Sequence, residues 1–267
     1  MSTAQKVIKY LALALAIFII ISIFSGLYFA GSLLGGVVIN DDDACRMDDY
    51  SPDSKVLCVS INSSVVEISQ SDEAKVDSNN KYIKYEIKDN KFIVREEKHS
   101  FIKNLKDSYV KVYIPDLEFD EVYISNGAGK MTASDITTNN FELELGAGAT
   151  EINNITSTNK TEIDSGVGQL DINNSQFNNL ELDAGVGKLT LNAKLLNSTE
   201  IDAGVGEINI NLLDSIDNYR IQAEKGIGSI MLNGKEVRNE KFYGNGTNHI
   251  DIDGGVGSID IHFIHSL

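Results

Sequence analysis

Apolar and polar residues alternate along much of the C-terminal half of the chain, for example over residues 181–184 and 189–192. Alternation with a period of two is typical of a β-strand that buries one face. The apolar parity slips by one between Val186 and Leu189. Such a slip would turn the side chains inside out unless the backbone bends there. The pattern therefore predicts short strands joined by sharp corners.

Pairs of glycines mark these corners and recur at a nearly constant spacing. An alanine, valine or isoleucine separates the two glycines of each pair, and successive pairs begin 19, 20, 19, 19, 22 and 29 residues apart. Glycine suits a corner because it tolerates positive φ and close approach of another backbone. The predicted corners are Gly127 and Gly129, Gly146 and Gly148, Gly166 and Gly168, Gly185 and Gly187, Gly204 and Gly206, Gly226 and Gly228, and Gly255 and Gly257.

A fixed repeat of about 20 residues indicates an array of similar units stacked on one another. We therefore predict an all-β fold, a single-stranded β-solenoid with coils of about 19–20 residues over residues 121–267. Each coil would contain two or three short strands. Residues 56–120 lack the glycine pairs and are predicted to form an N-terminal β-strand cap of the solenoid. A separate small β-domain is the alternative for this segment.

The N-terminal segment reads as a membrane anchor. Residues 11–39 are apolar apart from scattered Ser, Gly and Tyr, and the densest part would span about 30 Å as a helix, the thickness of a bilayer core. Lysines precede this stretch and aspartates follow it. The positive-inside rule then predicts a cytoplasmic tail over 1–10, one transmembrane helix over 11–39 and a polar stalk over 40–55. A cleaved secretory signal is the alternative.

The predicted exterior part is strongly acidic. Residues 41–267 carry 21 Lys and Arg against 39 Asp and Glu, a formal charge of −18. This charge argues against nucleic acid as a partner, because nucleic-acid binding requires a basic surface. It also disfavours adsorption to anionic lipid head groups, whereas divalent cations and basic partners are favoured.

One acidic column stands out, two residues before the first glycine of each corner. Stacked coils would place its side chains in an outward row about 5 Å apart. A row that tolerates the resulting repulsion could bind Ca²⁺, although a solvated strand face that prevents aggregation is the favoured interpretation. The row begins at Ser125 and continues with Glu144, Asp164, Asp183, Asp202, Glu224 and Asp253.

Asparagines recur seven residues after the first glycine, at Asn153, Asn173, Asn192, Asn211 and Asn233. We expect their side chains to hydrogen-bond along the stack and their backbone to be left-handed, as asparagine tolerates. This column is interpreted as structural and not as a ligand contact.

The two cysteines, Cys45 and Cys58, lie in the part of the chain that is predicted to be outside the cell. Disulfides persist in that compartment, so the two residues could form one. Two free thiols are an equally open interpretation. No zinc site is predicted at the cysteines, because no histidines cluster near them.

The order of these features resembles a known family. An apolar anchor is followed by alternating strands, a strand ending in proline at residues 112–115, glycine-paired coils and a closing stretch over 243–259. This arrangement resembles the bacterial "putative adhesin" family of β-strand repeat-containing envelope proteins, a domain of unknown function common in Gram-positive bacteria. The resemblance covers residues 56–264. It implies adhesion, and in some members a link to envelope-stress systems, but it carries over no catalytic residue.

These observations favour a non-enzymatic surface module on the cell membrane that contacts cell-wall polymers, a host surface or another envelope protein. An accessory role in envelope-stress sensing through a membrane partner is the alternative. A carbohydrate-active enzyme is disfavoured, because the acidic residues recur with the repeat and do not form one unique acid–base pair. No cofactor is expected apart from the Ca²⁺ considered for the acidic row.

Overall fold

The computed structural model describes residues 45, 50–51, 53–97, 107–239 and 241–264. Within these residues the secondary structure is β-strand apart from one short 3-10 helix at Ile216–Asn218, which confirms the predicted all-β class. The strands are β1 (Val56–Ile61), β2 (Val65–Gln70), β3 (Lys75–Ser78), β4 (Ile83–Lys88), β5 (Lys91–Glu96), β6 (Tyr109–Ile114), β7 (Glu118–Leu212), β8 (Tyr219–Glu224), β9 (Ile227–Leu232), β10 (Lys235–Glu236), β11 (Asn248–Asp253) and β12 (Val256–Phe263).

The predicted membrane anchor lies outside the described residues. This applies to the cytoplasmic tail over 1–10, the transmembrane helix over 11–39 and most of the stalk over 40–55. In the part of the chain that the structure covers, no helix is both long and apolar enough to cross a bilayer.

The long extended segment β7 turns back on itself, so that residues 19 or 20 positions apart lie side by side. Gly146 faces the backbone of Gly127, and Gly166 faces that of Gly146. Between its bends, every second side chain of β7 points inward, and those inward aliphatic residues form one continuous core with the residues of the flanking strands. Each coil therefore buries its apolar side chains against the coils on either side of it, as expected for a stacked array.

The order of coils along the stack differs from their order along the chain at both ends. At the N-terminal end, β1 pairs in parallel with β5 on one side and with the start of β7 on the other. At the C-terminal end, β11 lies between β7 and β8, and β12 lies between β7 and β9. The last coil of the chain is thus inserted beneath the coil that precedes it. At these two places, coils that are neighbours in the stack are therefore not consecutive along the chain.

This insertion has a physical advantage, because neither the first coil nor the last coil of the chain becomes an open edge of the stack. A parallel edge with unpaired backbone groups would recruit other chains. Instead, antiparallel segments cover parts of both ends: β4 pairs with β5 and β3 with β6, while β10 pairs with β9. Tyr243 adds a single antiparallel bridge to Ile221.

The glycine pairs occupy one corner of each coil, and the two glycines are needed for different reasons. The second has a left-handed or near-extended positive φ, +137° at Gly168 for example. The first has no room for a side chain, because a Cβ at Gly166 would lie 2.0 Å from the carbonyl oxygen of Gly146. The corner therefore brings successive backbones together more closely than any larger residue allows.

The corners do not divide the chain into short strands, and that part of the prediction is wrong. Gly129 and Gly148 lie inside β7, whose extended backbone continues through all five corners from Gly127 to Gly206. Of the seven glycine pairs, the last two coincide with strand breaks, before β9 and before β12. The physical reason is that pairing persists across the bend, as Gly257 remains in register with Gly206. A bend that every coil makes at the same place leaves the parallel ladder intact.

The first of the seven corners differs from those that follow it. A Cβ at Gly148 would meet the carbonyl oxygen of Gly129 at 1.8 Å, whereas a Cβ at Gly129 would lie 3.0 Å from the carbonyl oxygen of Ser64. The coil before Gly129 carries no glycine pair, so its backbone stays farther away. At Gly129 glycine is therefore required mainly by its φ of +126°, and at Gly148, with φ +151°, mainly by the close approach.

The asparagine column forms a hydrogen-bonded ladder, as predicted. The side-chain amide of Asn173 donates to Oδ1 of Asn153 at 3.1 Å, Asn192 donates to Asn173 at 2.8 Å, and Asn211 donates to Asn192 at 2.6 Å. The predicted left-handed backbone is wrong for these four residues and right for Asn233, with φ +46°.

A second ladder runs through the residues that follow Asn153 and Asn173, and these are left-handed. Asn154 has φ +56° and Asn174 has φ +49°. The side chain of Asn174 donates to Oδ1 of Asn154 at 2.7 Å, and that of Asn154 donates to Asp135 at 2.9 Å. Neighbouring asparagines thus have different roles in the turn. The second asparagine of each pair reverses the backbone direction, and the side chains of both asparagines link adjacent coils.

Two threonines of the interior lack a hydrogen-bond partner within the described part of the chain. The hydroxyl groups of Thr161 and Thr199 point into the apolar core. Thr138, which is equally buried, donates its hydroxyl to the backbone oxygen of Asn140 at 2.8 Å. A buried hydroxyl without a partner loses its hydration without compensation, at a cost of about 1–3 kcal/mol.

We therefore expect Thr161→Val to increase the free energy of unfolding by about 1 kcal/mol, because valine has nearly the same shape and no polar atom. Thr138→Val, the matched control, should lower it by about 1 kcal/mol through loss of a hydrogen bond. Urea unfolding at neutral pH measures both. Destabilisation by Thr161→Val to the same extent as the control would contradict the assignment.

Candidate functional site

In-register stacking produces one strongly negative surface, which we call the acidic face. It consists of the outward residues two and four positions before the first glycine of each corner. In spatial order along the stack, these are Glu142 and Glu144, Glu162 and Asp164, Glu181 and Asp183, Glu200 and Asp202, Asp251 and Asp253, and finally Glu224.

The predicted acidic row forms one column of this face, and the structure changes its order. Asp253 pairs with Asp202 on one side and with Glu224 on the other. Asp164, Asp183, Asp202, Asp253 and Glu224 are exposed, whereas Glu144 is half-buried. Ser125, at the start of the column, is also half-buried.

The second column was missed by the reasoning from sequence. It consists of Glu142, Glu162, Glu181, Glu200 and Asp251. The signal was present, since a residue two positions from an outward residue on the same strand must also point outward. Parallel pairing of Glu200 with Asp251 shows that like charges lie side by side here as well.

The carboxylates extend along a line and do not converge on a point. Among the residues that the structure describes, no group of three or more His, Cys, Asp or Glu side chains is placed to hold a metal ion. Ca²⁺ takes six to eight oxygen ligands at about 2.3–2.6 Å, which a flat row of single carboxylates does not supply. The Ca²⁺ expectation for this row therefore gains no support from the geometry.

Some of the negative charge at one end of the face is compensated. Lys160 contacts the carboxylates of Glu162 and Glu181, its Nζ lying 3.4 Å from Oε2 of Glu181. The hydroxyl of Tyr123 donates to Oε2 of Glu144 at 2.6 Å. Burial and this carboxylate together raise the pKa of Tyr123 well above its usual value, so the phenol remains a hydrogen-bond donor at physiological pH.

A shallow groove of about 330 Å³ runs along the stack beside the aspartates. Its lining is uniform from coil to coil, because each coil contributes the aspartate, a small residue and the first glycine of the corner. The lining residues are Asp164, Ser165 and Gly166, then Asp183, Ala184 and Gly185, then Asp202, Ala203 and Gly204, with Leu145 at one end. The groove thus presents one aspartate per coil along its length.

The second glycines of the corners do not take part in this groove. Gly129 and Gly148 are exposed, and they border a separate pocket of about 10 Å³ together with Asn126 and Thr150. A space of that size holds at most a water molecule. The glycine pairs therefore lie together at one side of the stack. In the three central pairs, only the first glycine lines the groove.

The cysteines border the acidic face at its N-terminal end. Cys45 and Cys58 form a disulfide with a Cα–Cα distance of 5.5 Å. They pack with Val56 and Ile93 in an apolar cluster on the outward side of the sheet, apart from the main core. Tyr123, which reaches Glu144, packs against the same cluster. The disulfide therefore holds Cys45 against the sheet where the acidic face begins.

The fold of one solved structure agrees with this architecture. No curated protein sequence matches the chain. A "putative adhesin" of Bacteroides fragilis has a similar solved structure, with 16% identity, a TM-score of 0.50 and coverage of 78% of this chain and 92% of that one. A "putative cell adhesion protein" of Clostridium sporogenes shares 22% identity over 79% of this chain and 93% of that one, with a TM-score of 0.34.

At these identities the likeness to the solved structures concerns the fold alone. The family assignment is independent of them. Residues 56–262, well over half of the chain, match the Toastrack DUF4097 family. This confirms the resemblance seen in the sequence, and the chain belongs to the Toastrack DUF4097 family.

Proposed function

We propose that this protein is a non-enzymatic binding module, held at the cell surface by residues 11–39, which binds an extended polymer bearing amino groups. The observation that carries the proposal is the acidic face, where two columns of carboxylates repeat at the strand spacing of about 4.8 Å. The adhesin description given to the Bacteroides fragilis structure is in keeping with such a role.

The charge state of the face supports a cationic partner. Burial raises the pKa of Glu142, and the neighbouring Glu144, Glu162 and Asp164 raise it further, outweighing the opposite effect of Lys160. The folded protein thus disfavours the ionised form of this carboxyl. A bound cation would relieve the repulsion between these carboxylates. Loss of this repulsion on binding makes the binding free energy more favourable.

The repetition of the face favours binding over catalysis. Acid–base chemistry on a glycoside needs two carboxyl groups with different pKa values at one place. Here equivalent pairs recur on successive coils, as with Glu181 and Asp183 followed by Glu200 and Asp202. A surface of this kind suits a partner that contacts many coils weakly, and its affinity grows with the number of coils engaged.

The binding proposal can be tested with the full chain, purified in detergent, and isolated cell walls or immobilised amine-bearing polymers. We expect saturable binding that weakens as salt rises. The triple variant Asp164→Asn, Asp183→Asn, Asp202→Asn should lose about tenfold in affinity, if each exposed ion pair contributes about 0.5 kcal/mol.

The matched control changes three acidic residues on another outward side of the coils, Glu151→Gln, Asp171→Asn and Glu207→Gln. It removes the same charge and should leave affinity within about twofold of the wild type, since surface charges beyond a Debye length are screened. Equal losses of affinity in both variants would show that binding depends on the net charge of the protein and not on the acidic face. Release of reducing ends from the polymer would identify an enzyme and contradict the proposal.

The burial of Glu142, together with the repulsion within the face, gives a separate pH prediction. Because the folded-state pKa of Glu142 is raised, its stabilising contribution is present below the unfolded pKa of about 4.3 and is lost as pH rises through the folded pKa. Glu142→Gln should therefore stabilise the protein at pH 7, by about 0.5 kcal/mol after solvent screening, and have little effect near pH 3.5.

Glu207 is the control for this pH dependence, because contacts with Asn209 and Lys188 lower its pKa. Glu207→Gln should bring no gain in stability at pH 7. Urea unfolding at the two pH values measures both variants. A Glu142→Gln protein that is less stable than the wild type at pH 7 would contradict the prediction that the ionised Glu142 carboxylate destabilises the fold.

A further inference from the structure

Among the residues that the structure describes, no strand pairs with the outer edge of β4, which is therefore an open edge at the N-terminal end of the stack. β4 pairs with β5 in antiparallel fashion and ends the sheet on that side. Its residues are exposed from Lys84 to Lys88, and two of them are large and apolar, Tyr85 at 58% and Ile87 at 38% exposure. Long edge strands of this kind pair readily with other strands.

The hairpin geometry determines which backbone groups point to the open side. A two-residue turn, Asp89 and Asn90, both with positive φ, places Lys88 opposite Lys91 as a hydrogen-bonded pair. Pairing then alternates along β4, in agreement with the hydrogen bond from the Glu97 amide to the Tyr82 oxygen. The backbone groups of Ile83, Tyr85 and Ile87 therefore point away from β5.

One of these outward groups is already used, since the Ile83 amide donates to the Asn80 oxygen at 3.1 Å. Among the described residues, no backbone hydrogen bond outside the β4–β5 ladder engages Tyr85 or Ile87. Two amides, those of Tyr85 and Ile87, and three carbonyl groups, those of Ile83, Tyr85 and Ile87, thus remain available to an incoming antiparallel strand.

We propose that the open edge of β4 binds β4 of a second copy of this chain, in an antiparallel register centred on Tyr85. Each Tyr85 would exchange two backbone hydrogen bonds with the partner's Tyr85. The Ile87 amide would donate to the carbonyl of the partner's Ile83, and the reciprocal bond would form as well. This gives four hydrogen bonds and uses both amides that are still available.

The side chains are self-complementary in this register. Lys84 lies opposite the partner's Glu86, and Glu86 lies opposite the partner's Lys84, so two opposite-charge pairs form on one side of the sheet. Ile83 and the partner's Ile87 meet on the other side. Centring the pair on Glu86 instead would place Lys84 opposite the partner's Lys88 and would direct the wrong backbone groups at each other. Charge and hydrogen bonding thus select the same register.

The predicted two-fold axis is also compatible with membrane attachment of both copies, a point that rests on the proposed anchor. This axis stands perpendicular to the sheet, so equivalent faces of the two copies lie on one side. Cys58 and Ile93 are on the outward face that carries Glu86, and the disulfide holds Cys45 there. Cys45 of each copy would therefore lie on the same side of the dimer.

Exchanging charges on β4 tests the proposed register. The full chain is studied in detergent, and the mass of the protein particle is measured across a concentration series. The wild type should form a dimer at tens of micromolar, since few residues are buried. Lys84→Glu and Glu86→Lys should each weaken it about tenfold or more, because two attractive cross-strand pairs become repulsive. An equimolar mixture of the two variants should dimerise again, as each supplies the opposite charge.

A crosslinking experiment tests the centre of the register. Paired residues at a hydrogen-bonded site lie about 5.5 Å apart between Cα atoms, within the range of a disulfide. Tyr85→Cys should form an interchain disulfide on oxidation. Phe242→Cys, at a similarly exposed position in the loop at the opposite end, should not do so above the rate of random collision.

Three results would overturn the proposal: a wild type that stays monomeric at 100 micromolar, a dimer unaffected by Lys84→Glu, or a mixture that fails to restore pairing. Capture of a β-strand from another protein by the wild type, with no self-association, would likewise assign the edge to a different occupant. Circular dichroism of each variant confirms that the charge reversals on this exposed strand leave the fold intact.

Discussion

The structure depends on close, in-register contact between successive backbones at the glycine corners. At each corner within the stack the space that a Cβ would need is taken by the carbonyl oxygen of the neighbouring coil, 1.9 Å away in the case of Gly187. Parallel strands cannot slide past one another while their corners interlock in this way. The corner therefore fixes the register on both of its sides, and a side chain at one position of the repeat must lie beside its equivalents.

In-register stacking of the coils both stabilises and destabilises the protein. It stacks inward aliphatic residues such as Ile201, Ile252 and Ala223 into continuous columns and joins Asn173 to Asn192. It also places Asp202, Asp253 and Glu224 side by side on the acidic face. Like charges at this spacing repel by about 1 kcal/mol in water before salt screening. Burial of the apolar columns offsets this cost, since each buried aliphatic side chain contributes about 1.5–3 kcal/mol.

The parts of this architecture that follow from local sequence were predictable. The alternation around Leu182 and Leu189 indicated an extended chain with one buried face, and the paired glycines indicated its corners. That the ladder continues through corners such as Gly148 was not predicted, because it depends on the neighbouring coil bending at the same place. The asparagine ladder was predicted, although the left-handed backbone belongs to Asn174 and not to Asn173. That shift depends on where the turn reverses, which side-chain spacing alone does not determine.

The order of the terminal coils could not be predicted in the same way. Coils 219–232 and 248–263 present nearly the same pattern of apolar and glycine residues to a neighbour, so local pattern does not decide which one pairs with β7. The long stretch of chain between these two coils was the one indication in the sequence. A coil that inserts beneath the preceding coil needs a connection long enough to pass around that coil. The open edge of β4 likewise results from which strands end the stack.

The most direct test of this account is the set of neighbours of Ile252, measured by nuclear Overhauser contacts between backbone protons of the labelled protein. In-register insertion predicts contacts from Ile252 to both Ile201 and Ala223, with none between Ile201 and Ala223. Direct contact between Ile201 and Ala223, with Ile252 at the outer edge of the stack, would contradict it.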